Sequence, residues 1–181
     1  MRKAVTGKAV TAAFSTLIAA PALAGEVSLS VQIPRLDVSE YHRPYLAAWI
    51  EGADGAAVSN LAVWYDTRKR EGEGGAKWLK DMRQWWRRIG RETEMPLDGV
   101  SGATRPAGTH ALRFDASAAP FATLKPGTYE IVVEAAREVG GREVVRLPLT
   151  WPPAAAQAAV QGQVSVQGKD ELGTVSLSVS P

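Results

Sequence analysis

Residues 26–33 read EVSLSVQI, in which Val27, Leu29, Val31 and Ile33 alternate with polar positions. That period of two predicts a strand with one face in a core. The same reasoning predicts strands over Tyr45–Glu51, Ala57–Tyr65, His110–Asp115, Thr128–Arg137, Arg142–Thr150 and Thr174–Ser180. Gly-Ala-Asp-Gly at 52–55 and Val139-Gly140-Gly141 read as the turns of two hairpins. VSLSV occurs twice, at Val27–Val31 and Val175–Val179, so these two strands are expected to be neighbours or symmetric edges. About seven short strands with frequent turns predict an immunoglobulin-like antiparallel β-sandwich.

One segment departs from the strand period. In KWLKDMRQWWRRI, Trp78, Met82, Trp85 and Ile89 recur at helical spacing, with Leu79 and Trp86 beside the stripe. This predicts an inserted amphipathic α-helix over about 77–89, punctuated by GEGGA before it and Gly90 after it. Its aromatic face has two uses: to bury itself on the sheet, or to present a basic, aromatic surface to a membrane or partner. TRKREGEGG at 67–75 reads as a solvated loop, and PPAAAQAAVQGQ at 152–163 as a surface excursion.

The opening of the chain changes the charge picture. Arg2, Lys3 and Lys8 precede an uncharged Ala-rich stretch that ends in Ala22-Leu23-Ala24, the pattern of a secretory signal peptide cut before Gly25. Residues 25–181 are then expected to form one domain in the periplasm, free of the membrane after cleavage. The chain has 21 Lys and Arg against 19 Asp and Glu, and removing the three cations of the signal leaves 18 against 19. An electrostatic case for nucleic acid disappears with them. Cysteine is absent, which excludes disulfides, thiolate metal sites and thiol catalysis. Six Trp residues remain to supply packing.

Between the helix and the strand at His110 lies DGVSGAT, residues 98–104. Gly99 and Gly102 permit tight turns, Asp98 and Ser101 can bond nearby backbone, and Pro106 stiffens the exit. As local structure this is an exposed loop. Its spacing is more specific: Asp98, Ser101, Gly102, Ala103 and Thr104 fit D-x-x-[S/T]-G-A-[S/T].

That pattern resembles the acceptor motif of ApbE-type flavin transferases. The resemblance implies FMN, donated from FAD and joined through a phosphoester to the Thr104 hydroxyl. Gly102 and Ala103 would leave room for the transferase cleft, Asp98 would help hold the loop, and Arg105 would face the phosphate. Trp85 and Trp86, with Trp64 and Tyr65, are the candidate surfaces for the isoalloxazine. The run AAWIEG, NLAVWYD, KWLKDMRQWW and DGVSGATRPAGTHALRFD also resembles a family of predicted periplasmic proteins of unknown function, over most of residues 25–181. That family tends to accompany flavin transferases and PepSY-type membrane redox proteins. The resemblance implies a covalent periplasmic flavoprotein that relays electrons, an electron carrier more than an independent enzyme. The competing expectation is a non-redox β-sandwich binding or accessory module with an aromatic surface.

Other chemistry has less support. His42, Glu40 and His110 lack metal-ligand spacing. Ser101 has no nucleophile elbow around it and neither histidine is placed as its base.

Overall fold

The computed structural model describes residues 25–68, 75–153 and 162–180. The segment 1–24 read as a signal peptide lies outside them, as do most of the 67–75 loop and of the 152–163 excursion. Alternation along the sequence becomes nine strands among the described residues: β1 (Glu26–Ile33), β2 (Tyr45–Gly52), β3 (Ala57–Tyr65), β4 (Ser101–Ala103), β5 (Gly108–Asp115), β6 (Gly127–Ala136), β7 (Arg142–Trp151), β8 (Gln163–Gln167) and β9 (Thr174–Ser180). They form a four-stranded sheet of order β5-β1-β9-β8 and a five-stranded sheet of order β4-β3-β2-β6-β7. The protein is a mainly-β sandwich. One shared core, with Leu29 and Val31 from one sheet and Leu46, Ile50, Ile131 and Leu147 from the other, lies between the sheets.

The repeated VSLSV segments are neighbours. The word is palindromic, so antiparallel pairing sets like opposite like: Val27 on Val179, Leu29 on Leu177, Val31 on Val175. Val27, Leu29, Val31, Val175 and Leu177 are buried, and the serines between them face the other side.

Two expectations need correction. The sandwich is not purely antiparallel, because β4 runs parallel to β3. The 77–89 segment is also not one α-helix. It is a 3₁₀ turn over Gly75–Asp81 followed by the short α1 (Arg83–Arg88). The tighter first turn rotates the stripe, so Leu79, Met82 and Trp85 are buried while Trp78 is 40% exposed. The buried three pack with Trp49, Val63 and Val132 in a second core on the outer face of the five-stranded sheet. Each such side chain contributes about 1.5–3 kcal/mol of burial.

Buried carboxylates tie that layer down. Both oxygens of Glu134, which is fully buried, accept from the backbone N–H groups of Gln84 (3.1 Å) and Trp85 (2.7 Å). Glu134 also pairs with Arg142 at 3.0 Å. Glu51 is paired with Arg146 at 3.0 Å and Arg88 at 3.4 Å. No helix among the described residues is long and apolar enough to cross a membrane.

Candidate functional site

The expected loop at 98–104 is half turn and half strand. Leu97 closes the turn: its carbonyl accepts from Val100 and Ser101, and its N–H donates to Ser101 Oγ at 2.9 Å. Ser101 therefore acts as a clamp within the turn. Gly99 takes a φ of +69°, a conformation that favours glycine. Asp98 is exposed in the same turn. Ser101, Gly102 and Ala103 then pair with Val63, Trp64 and Tyr65 as strand β4, and the Thr104 N–H donates to the Tyr65 carbonyl at 3.2 Å. Local turn chemistry could not reveal this strand, since its partner lies nearly forty residues earlier. A Cβ built on Gly102 would lie 3.4 Å from Trp64 Cδ1, so the indole runs against the motif backbone.

Thr104 is half-buried and lines a cleft of about 500 Å³. Tyr41, Tyr45 and Tyr65 provide aromatic wall, and His42, Arg43 and Arg68 provide cationic or titratable edge. Asp66 accepts a two-pronged contact from Arg68, with both N–O distances 2.8 Å. His42 sits between Glu40 (3.0 Å) and Glu138 (3.6 Å). Burial pushes the Tyr45 phenol above its ordinary value, and the carboxylates of Asp66, Glu138 and Asp81 add to that, against an opposing backbone hydrogen bond at Asp66. Tyr45 is therefore a neutral phenol at physiological pH. The backbone at Gly75 runs so close that a Cβ there would lie 2.6 Å from the Tyr45 hydroxyl.

The other residues singled out by sequence lie elsewhere. Trp85 offers no ring face to a flavin: it is fully buried, and its indole N–H donates to Asn60 Oδ1 at 2.7 Å. Its layer packs against the sheet because its aromatic stripe is core. Trp86 is half-buried beside it, ring centroids 6.2 Å apart, and neither tryptophan lines the Thr104 cleft. Arg105 is exposed, with its guanidinium over the Trp64 ring, 5.4 Å from the centroid. His110 meets the same ring edge-on at 5.8 Å and bonds the Pro106 carbonyl, which makes it a packing residue. Among the described residues no group of three or more His, Cys, Asp or Glu is placed to hold a metal ion.

Sequence reasoning overlooked Arg43, Arg68 and the cleft itself. The hairpin held a signal: β2 starts where β3 ends, with Leu46 opposite Trp64, so Tyr45 and Tyr65 flank one end of the sheet.

The model of a family described as predicted periplasmic protein (DUF2271) matches residues 26–173. The chain belongs to this family. The match spans β1 through β8 and includes the whole cleft, and it places this family member in the periplasm. No curated protein and no solved structure matches the chain.

Proposed function

We propose that this DUF2271 protein carries FMN on Thr104 and relays electrons between a PepSY-type membrane redox protein and an acceptor outside the cytoplasmic membrane. The observation that carries this reading is the position of Thr104. It follows an edge strand directly and stands on the wall of an aromatic, cation-edged cleft. A cleft of about 500 Å³ has the size of a cofactor site, and tyrosines with arginines match a planar ring joined to a phosphate.

Attachment by an ApbE-type transferase is a balanced exchange. Thr104 Oγ1 bonds to the flavin-side phosphorus of FAD, the bond from that phosphorus to the bridging oxygen breaks, AMP leaves, and the hydroxyl proton passes to a base of the transferase. Once attached, FMN supplies reversible electron transfer. The chain's own residues would bind and orient: Tyr41 and Tyr45 offer faces for the ring, and Arg43 a cation for the phosphate. Arg105 serves Trp64 in this arrangement, which makes Arg43 the better candidate for that charge. Covalent linkage keeps the cofactor from being lost to the dilute space outside the membrane.

The test is co-expression with an ApbE-type transferase in an exporting host, read by intact mass and in-gel flavin fluorescence. The wild type gains the mass of FMN and Thr104→Ala does not. A wild type that stays unmodified beside an active transferase overturns the proposal and leaves the non-redox binding module.

A further inference from the structure

A second cleft of about 430 Å³ opens on the far side of Tyr45, and Tyr45 and Glu138 line both. Trp78 stands at its lip, 40% exposed, although the neighbouring Leu79, Met82 and Trp85 are all buried. Val139 lines it too, 80% exposed with a φ of +52° at the tip of the β6–β7 hairpin. Exposing an indole and an isopropyl group on the rim of one concavity costs hydrophobic free energy that burial elsewhere in this fold avoids.

Charges of both signs line this cleft. Asp81 and Glu138 act on the Tyr45 phenol, at the wall shared with the Thr104 cleft. Arg83 is exposed, and its carbonyl accepts from Arg87 Nε at 3.2 Å, while its guanidinium makes no hydrogen bond or ion pair among the described residues. Arg137, by contrast, is committed to Glu171 by two contacts of 2.9 and 3.1 Å. The Lys77 ammonium lies 4.9 Å from the Trp78 ring centroid, and this indole with a nearby guanidinium and ammonium suits a flat ring bearing a negative group.

We propose that the cleft between Trp78 and the β6–β7 hairpin binds a planar aromatic molecule with one anionic group, a soluble quinone-class compound, which takes electrons from the Thr104-linked flavin across Tyr45. This rests on the flavin reading and names its acceptor. With reduced flavin on Thr104, the quinone would take up two electrons and two protons and become a hydroquinone, matched by the two electrons from the flavin and the two protons it releases to solvent. The membrane partner would supply the two electrons that restore the reduced state.

The test separates binding from electron transfer. The mature protein without flavin is dialysed against anthraquinone-2-sulfonate. We expect one saturable site that Trp78→Ala weakens about tenfold, the loss expected for one aromatic wall. Arg83→Gln weakens the sulfonate by a similar factor and leaves uncharged 2-methylanthraquinone unchanged, while Thr104→Ala binds like the wild type. Trp78 is partly exposed, so the Ala variant keeps the wild-type circular dichroism spectrum and is flavinylated normally. In the flavinylated, anaerobically reduced protein, the same variant slows re-oxidation by the probe. Absence of saturable binding, or binding indifferent to Trp78→Ala, overturns the inference. Failure of the flavin reading shows separately, as a missing mass gain at Thr104.

Discussion

The Thr104 N–H donates to the Tyr65 carbonyl at 3.2 Å, which ties the backbone of the hydroxyl-bearing residue to one of the cleft's aromatic walls. That bond uses no side-chain atom. Thr104→Ala and Thr104→Ser should therefore stay within about 0.5 kcal/mol of wild-type stability in urea unfolding. Thr104→Ser keeps a hydroxyl and should still accept FMN, whereas Thr104→Ala should not.

Gly102 separates docking from folding. Its Cβ position lies 3.4 Å from Trp64 Cδ1, an ordinary contact, and its backbone is not in a region that demands glycine. Gly102→Ala should change the unfolding free energy by no more than about 0.5 kcal/mol. If a transferase must reach past this edge strand, the same variant should lose most of its modification. Full modification at wild-type rate would show that the glycine is not read by the transferase.

Glu134 is the keystone of the layer on the outer face. Glu134→Ala strips two buried N–H groups and Arg142 of their acceptor. Removing one partner from such a buried network should cost about 3–5 kcal/mol in urea unfolding. Because Glu134 binds the N–H groups at the start of α1, a matching rise in amide exchange over Arg83–Arg88 is expected.

Gly90 packs against the face of Trp85, where an added Cβ would lie 2.6 Å from ring carbon Cζ3. The indole is fully buried and hydrogen-bonded to Asn60, so it has nowhere to shift. Gly90→Ala should destabilise by about 1–3 kcal/mol.

Acid should weaken the junction between β7 and the β8–β9 connection. Burial alone would push the Glu143 carboxyl up. Four backbone N–H groups, from Lys169 to Leu172, outweigh it and hold the group below the usual carboxylate range. A carboxylate depressed in the folded state stabilises fully above its unfolded value of about 4.3, and that contribution fades as pH falls through the folded value. The urea midpoint of the wild type should drop from pH 6 toward pH 3, and that of Glu143→Gln should drop less. Equal slopes would remove Glu143 from the account.

β1 and β9 were legible to the residue because a period of two along one buried face leaves no other arrangement, whereas the second half of β3 is buried on both faces. The tryptophan-bearing segment was legible as helical but not in its winding. Trp78, Met82 and Trp85 fit an α stripe, and only tertiary packing shows that Leu79 replaces Trp78 on the buried side. β4 carries three small residues and no alternation, so nothing local marks it as a strand. The cleft is assembled from four separate parts of the chain, Tyr41–Tyr45, Tyr65–Arg68, Ala103–Thr104 and Glu138, and no single window of sequence contains it.

The pairing of the two VSLSV segments bears on the order of events in folding. β1 and β9 are central neighbours in their sheet, yet their partners are separated by roughly 150 residues, a closure that comes late and slowly in folding. The β1–β9 pairing cannot form until residues 174–180 are available. The four-stranded sheet is thus closed by the segment farthest along the described chain from β1.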